Sequence, residues 1–244
     1  MKAMILAAGL GTRLKPLTDT VPKALIPIQG KPLLEHLIRR LAAAGFREIV
    51  VNVHHLAGQI IDFLKAHDNF GLDIRISDER ACLLDTGGGI KHAASYLNDG
   101  EPFLVHNVDI LSDIDLRALY KAHCQSHAMA TLLVSDRPAS RRLLFDKEQR
   151  LCGWQNRQSG EVKSPYADFQ AGAYTGYAFG GIHVLSPEAL DCMETWSDRF
   201  SIIDFYLNVC PEHEVQAWPV KAGRLLDVGK PETLAEAEGF PGLI

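Results

Sequence analysis

The first chemically suggestive stretch begins at the sixth position. Leu6-Ala7-Ala8-Gly9-Leu10-Gly11-Thr12-Arg13-Leu14 is an apolar run that opens into small residues and then an arginine. Alanine and glycine leave backbone N–H groups free to approach a phosphate or a base. Arg13 adds a planar fork of donors, and Lys23, in Pro22-Lys23-Ala24-Leu25, adds a point charge. That is the chemistry of polyphosphate binding. Two better-known phosphate loops do not fit. The P-loop pattern G-x-x-x-x-G-K-[ST] is absent, and Gly9-Leu10-Gly11-Thr12-Arg13-Leu14 lacks the third glycine of the dinucleotide fingerprint. For the glycines alone, a plain turn with a surface arginine is the competing reading. Arg13, Pro22 and Lys23 taken together argue against it.

Two aspartates far apart in the chain share one context. Asp109 follows the apolar run Phe103-Leu104-Val105-His106, and Asp227 follows Leu225-Leu226 and precedes Val228-Gly229-Lys230-Pro231. The carboxyl ends of strands are where open α/β sheets bind ligands. Two carboxylates converging there suit Mg2+, a hard ion that takes a few oxygen ligands plus substrate phosphates. Each aspartate can equally be a helix cap or turn residue. Asp85-Thr86-Gly87-Gly88-Gly89-Ile90 reads as a loop entering a helix, with exposed amides and a positive dipole for a flat base; a capped glycine loop is the alternative. His106, on an apolar strand, reads as a satisfied core histidine. Asn52, His54, His55, Asp78 and Glu79 end strands and can line the pocket, although such residues are more often solvated or capping.

The elements that must position these groups alternate. Short apolar runs at 3–6, 48–53, 73–76 and 102–106 read as buried strands, and helical spacing recurs over 32–44, 59–66 and 89–97. That order implies an α/β fold with a mostly parallel central sheet and helices on both faces. Further on, 116–127, 187–193, 202–209 and 231–238 read as helices, and 130–134, 177–185, 215–220 and 224–228 as strands. Residues 143–154 read as two strands about a turn, and 155–175 as a polar loop. The expectation is one domain over 1–244 with a small irregular insert on one side.

Composition narrows the classes. The chain has 244 residues, 25 basic and 30 acidic side chains and a formal charge of −5, with 47% hydrophobic residues. This is ordinary globular composition and excludes a disordered chain. Mild acidity argues against a nucleic-acid partner, which calls for a basic face. No apolar run approaches the roughly 20 residues of a membrane helix. The opening run is too brief for a signal peptide. The five cysteines form no C-x-x-C pair, so a reducing cytoplasm is expected. No G-x-S-x-G elbow supports a serine hydrolase.

The loop also carries a resemblance. Leu6 to Thr18, read with Pro22-Lys23-Ala24-Leu25, resembles the L-A-A-G-x-G-[ST]-R-[LM]-x-P-L-T and P-K-x-L signature of the sugar-1-phosphate nucleotidyltransferases, and Gly30-Lys31-Pro32-Leu33-Leu34 extends the match. The resemblance implies a Rossmann-like nucleotidyltransferase fold whose insert lies on the sugar side. It also implies Mg2+-dependent transfer from an NTP to a sugar 1-phosphate, with both small molecules as the partners. By it, Arg13 and Lys23 are catalytic. Leu6, Ala7, Ala8, Gly9, Gly11, Thr12, Arg13 and Lys23, with Asp85, Thr86, Gly87 and Gly88, hold the nucleotide. Asn107, Gly181 and Asp204 meet the sugar, and Asp109 and Asp227 hold the metal. Two departures stand out: Val108 replaces a usual glycine and Lys230 a usual threonine. The family's E-K-P, whose lysine meets the sugar phosphate, is not intact, and Lys163 is a poor substitute. Asp85-Thr86-Gly87-Gly88-Gly89-Ile90 resembles the E-T-G-G-G-I of the subgroup acting on N-acetylmuramate α-1-phosphate with UTP in cell-wall recycling. The compact length, without a C-terminal β-helix domain, agrees. A mannose-1-phosphate guanylyltransferase or a phosphocholine cytidylyltransferase would share the fold. A non-catalytic nucleotide sensor and an NAD-dependent oxidoreductase are the readings from other classes.

Overall fold

The structure is a computed structural model that describes residues 1–220 and 223–243. In its first half, strands and helices alternate as the hydrophobic spacing predicts. β1 (Lys2–Leu6) leads through short turns to a small hairpin, β2 (Pro27–Ile28) and β3 (Lys31–Pro32), and then to α1 (Leu33–Ala43). Leu33, Leu34, Leu37, Ile38 and Leu41 form the buried face of α1. Gly45 stops the helix in a left-handed conformation, φ +96°, that a side chain would strain. β4 (Glu48–Val53), α2 (Ala57–Ala66), β5 (Asp73–Asp78), α3 (Asp85–His92), α4 (Ala94–Leu97) and β6 (Phe103–Asn107) follow. β5, β4, β1 and β6 pair in that order, all parallel, so their carboxyl ends open on one side.

The second half adds antiparallel strands to this nucleus. After β7 (Ile110–Ser112) and α5 (Leu116–Cys124) come β8 (Ala130–Ser135), β9 (Arg141–Phe145), β10 (Leu151–Asn156), β11 (Val162–Lys163) and the long β12 (Thr175–Leu185). β12 lies antiparallel beside β6. Its first residues pair with β9 and the remainder with β8, with a break in register between Phe179 and His183. The expected irregular insert is thus an ordered ribbon of β9, β10 and β11 that extends the sheet. α6 (Glu188–Met193), α7 (Ile202–Val209), β13 (Val215–Pro219), β14 (Leu225–Asp227) and α8 (Pro231–Ala237) complete the chain.

Alternation along the strands divides the core in two. Met4, Phe103 and Val105 pack on one face with Ile90, Phe205 and Tyr206, while Ala3, Ile5 and Leu104 pack on the other with Leu37, Ile60 and Leu119. Helices therefore cover both faces, as an α/β sheet requires. A third, smaller cluster joins Leu14, Ile26 and Leu33 to Val228, Ala237 and Phe240. It ties the end of the chain beneath the glycine loop and brings Asp227 to the first half of the molecule.

Candidate active site

A cleft of about 420 Å3 opens at the carboxyl ends of the parallel strands. Leu6, Ala7, Ala8, Gly9, Gly11, Thr12, Arg13, Lys23, Asp85, Thr86, Asn107 and Asp109 all line it, joined by Asn52, Glu79, Val108, Arg199 and Gly229. Two glycines of the loop have different reasons to be there. Gly11 has φ +65°, and a Cβ on it would stand 2.7 Å from Thr18 Cγ2, while Gly9 has open space around it. Gly11 is therefore required by the fold, and Gly9 keeps the cleft floor low.

Behind the loop stands a buried polar relay to which the sequence gives little weight. Asn52 Oδ1 accepts hydrogen bonds from Ala7 N (2.6 Å) and Ala8 N (3.2 Å), and its Nδ2 donates to Glu79 Oε1 at 2.7 Å. Burial raises the Glu79 carboxyl above its usual range, against the opposing effect of the Asn52 bond. A Cβ on Gly89 would stand 2.7 Å from Glu79 Oε1 and 2.9 Å from Asn52 Nδ2. The relay thus dictates a glycine there.

This corrects the reading of the glycine triplet. Gly87, Gly88 and Gly89 do not precede a helix with free amides; they lie buried inside α3. The amides of Gly87 and Gly88 donate to Phe200 O at 3.0 and 3.2 Å. Side chains at these two positions would collide with the Phe200 ring and with Asp198 O. Neither glycine lines the cleft; only Asp85 and Thr86 of this motif do. Three glycines in a row suit a helix here because another segment packs against its backbone.

Strand pairing brings the backbones of the two aspartates together. β14 pairs antiparallel with β7, placing Asp227 opposite Ile110, and Val228 N donates to Asp109 O at 2.8 Å. Lys23 Nζ forms an ion pair with Asp109 Oδ2, with both side chains largely buried. Arg13 Nη2 and Asp227 Oδ1 flank Gly229, 2.5 and 2.7 Å from where its Cβ would be. Asp227 Oδ1 is buried and, among the described residues, has no hydrogen-bond partner. A buried orphan carboxylate oxygen is costly unless something binds it. A bare carboxylate oxygen of this kind fits a hard divalent cation.

Arg13 and the Asp227 segment form a wall. Beyond it lies a second cavity of about 870 Å3, lined by Arg137, Arg141, Leu143, Trp154, Phe179 and Lys230 among others. The expected sugar contacts stand differently from one another. Asn107 lines the first cleft. Gly181, φ +71°, is buried beneath the Asn107 carboxamide and lines neither cavity, while Ala178 and Phe179 of the same strand line the second. Asp204 is exposed on α7 and pairs with Lys163 at 3.4 Å; Lys163 also lies 5.4 Å from the centre of the Trp154 ring. His106 is only half satisfied. Its Nδ1 meets Asn107 O at 2.8 Å, its Nε2 has no partner, and burial lowers its pKa to about 4. Arg199 and Arg137 escape the sequence reading because no local pattern marks them; Asn52 and Glu79 carry only the signal of polar strand ends.

Comparison with known proteins agrees with this geometry. The profile of the nucleotidyl transferase family matches residues 2–143. A relative from Neisseria meningitidis, an N-acetylmuramate alpha-1-phosphate uridylyltransferase, is 38% identical over 249 residues, covering 99% of each chain. A protein of the same name from Caulobacter vibrioides is 51% identical over 109 residues, 44% of this chain and 45% of its own. In fold, a UDP-glucose pyrophosphorylase from Acinetobacter baumanii superposes with a TM-score of 0.78 at 18% identity, covering 99% of this chain and 95% of the other. The family profile and a relative matched over 99% of both chains exclude the dehydrogenase reading. The chain belongs to the nucleotidyl transferase family, as a sugar-1-phosphate nucleotidyltransferase.

Proposed function

We propose that the chain transfers the uridylyl group of UTP to N-acetylmuramate α-1-phosphate, releasing pyrophosphate, with Mg2+ as cofactor. The observation that carries the substrate choice is the likeness to the Neisseria relative over 99% of both chains. Asp85-Thr86-Gly87-Gly88-Gly89-Ile90, near the subgroup's sequence, supports it. A role in cell-wall recycling in the cytoplasm accords with that substrate and with five free cysteines.

The sugar phosphate is already an oxyanion, so the reaction calls for no general base. Its oxygen bonds to the α-phosphorus of UTP as the bond to the β-phosphate oxygen breaks, and pyrophosphate leaves with the electron pair. The barrier lies in bringing two anions together and holding the charge that develops. The amides of the Ala7–Gly11 loop, fixed by Asn52, serve the nucleotide. Arg13 clamps the pyrophosphate end, and Lys23 serves the α-phosphate once drawn from Asp109. Asp109 and Asp227 would hold Mg2+, which when bound neutralises phosphate charge. Val108, in place of a glycine, lines the cleft between Asn107 and Asp109.

A pyrophosphate-release screen of UTP, GTP, CTP and dTTP against N-acetylmuramate, mannose, glucose and heptose 1-phosphates tests this. Release is expected with UTP and N-acetylmuramate 1-phosphate, lost on chelation of the metal. Turnover confined to GTP and mannose 1-phosphate overturns the substrate choice. Nucleotide binding without release from any pair points to a sensor.

A further inference from the structure

The second cavity holds more positive charge than a neutral sugar needs. Arg13, Arg137, Arg141, Arg142 and Lys230 line it, against Asp227 as the acidic side chain of the lining. Like charges gathered in a half-enclosed space repel, and an anion offsets that cost. The phosphates are served on the other side of the wall, by the loop amides, Arg13 and Lys23. The remaining cations call for a different anion.

Their roles separate on geometry. Arg142 is engaged in structure: its Nη1 donates to Asp136 Oδ1 (2.8 Å) and Gly176 O (2.6 Å), and its Nη2 to Arg137 O (3.1 Å). That brace fixes the backbone of Arg137. Arg137 in turn donates from Nη2 to Phe179 O at 3.3 Å, two residues before Gly181. Its Nε is buried without a partner. The guanidinium is therefore held in place with donors to spare, among the apolar walls of Leu143, Trp154 and Phe179. A charge-assisted hydrogen bond gains strength in such surroundings. Arg141, at the start of β9, is exposed, and among the described residues it forms no ion pair.

We infer that Arg137, supported by Arg141 and Lys230, binds a carboxylate carried by the sugar ring and so selects an acidic sugar phosphate over its neutral counterpart. This rests on the proposed substrate. N-acetylmuramate bears a lactyl carboxylate that N-acetylglucosamine lacks, and the two are otherwise the same sugar.

The test compares binding of UDP-N-acetylmuramate and UDP-N-acetylglucosamine by calorimetry in the full-length wild type, Arg137→Gln and Arg141→Gln, with thermal melts to verify folding. The wild type is expected to favour the acidic ligand. Arg137→Gln should weaken it by about 10- to 100-fold, and the neutral one by less than about 3-fold. Arg141→Gln should show a smaller loss with the same preference, and it remains informative if Arg137→Gln does not fold. Equal losses on both ligands assign these arginines to the phosphates or to structure and overturn the inference. A wild type without preference overturns it too. Failure of the underlying reading looks different: wild-type enzyme then releases no pyrophosphate from UTP and N-acetylmuramate 1-phosphate but does so with a neutral sugar phosphate.

Discussion

The two cavities on either side of Arg13 and Gly229 are built by opposite routes. The first takes most of its lining from loops that leave consecutive parallel strands, so each wall is a short local segment: 6–13, 107–109 and 85–86. The second draws on β9, β10, β12, α7 and β14, and its lining is neighbourly only because antiparallel pairing brings those strands together. In the first, backbone amides set the chemistry, and small residues are demanded in a row. In the second, side chains set it, and Arg137, Arg141 and Arg142 are not marked by their sequence neighbours. On the proposed assignment of the nucleotide to the first cavity and the sugar to the second, phosphate binding can stay uniform while sugar choice drifts, because the two are encoded in separate places.

The sharpest way to break this comparison is at the wall itself. Asp227→Asn should lower turnover by on the order of 10²–10³, measured by pyrophosphate release across a Mg2+ titration. Its melting temperature should stay near wild type, because Asp227 Oδ1 has no partner to lose. Asp109→Asn is expected to cost both activity and stability. Lys23, 8% exposed, would lose the carboxylate it pairs with, a loss of about 3 kcal/mol for a largely buried ion. Full activity in either variant removes that aspartate from the metal role. Gly229→Ala is milder. Its Cβ displaces the ends of two flexible side chains, Arg13 and Asp227, so turnover should fall about 10- to 100-fold with the fold intact. A wild-type rate would mean that neither side chain needs its present place.

Asn52→Ala asks how much of the first cleft is prearranged. It leaves the buried Ala7 and Ala8 amides without their acceptor, worth about 2 kcal/mol of stability. The slackened loop should raise the KM for the nucleotide more than the KM for the sugar phosphate. Equal rises in both constants would instead make Asn52 a general prop.

How far the sequence speaks follows the same division. The parallel nucleus is legible because each strand is a short apolar run closed by a polar or small residue, and α7 at Ile202–Val209 and β4 at Glu48–Val53 coincide with their apolar spacing. The two aspartates stand out because each follows an apolar run, a context that equally suits a cap or a turn, and only the pairing of β14 with β7 brings their backbones together. The glycine triplet is misread because glycine is a poor helix former in isolation. The packed Phe200 ring, the Asp198 carbonyl and the Asn52–Glu79 relay explain why α3 tolerates three. Gly181 is read as a ligand contact from its motif alone; its positive φ falls in the register break of β12, beneath Asn107. Arg137 could not be found, since its position depends on Arg142 and on a carbonyl of another strand.

The smallest expected effect concerns the seam where the halves join, β6 against β12. His106 and His183 are both buried there, and desolvation lowers their pKa values to about 4 and about 3 from an unperturbed 6.5. The Tyr206 hydroxyl meets His183 Nδ1 at 2.5 Å. Below 6.5 the unfolded chain takes up protons that the folded seam refuses. The stability due to these neutral rings is therefore complete above about pH 6.5 and is lost progressively as the pH falls toward 4. Glu79 runs the other way: its raised pKa lends stability that fades as the pH rises. Urea unfolding at pH 7, 6 and 5 should show stability falling with acid, and His106→Gln should flatten that slope by up to about 1.4 kcal/mol per pH unit, one proton's worth. The nucleotide cleft, whose polar groups are already paired through Asn52 and Lys23, should keep its substrate affinity over the same range. If acid weakens nucleotide binding before it weakens the fold, the seam is not the acid-labile part, and the halves answer to pH as one body.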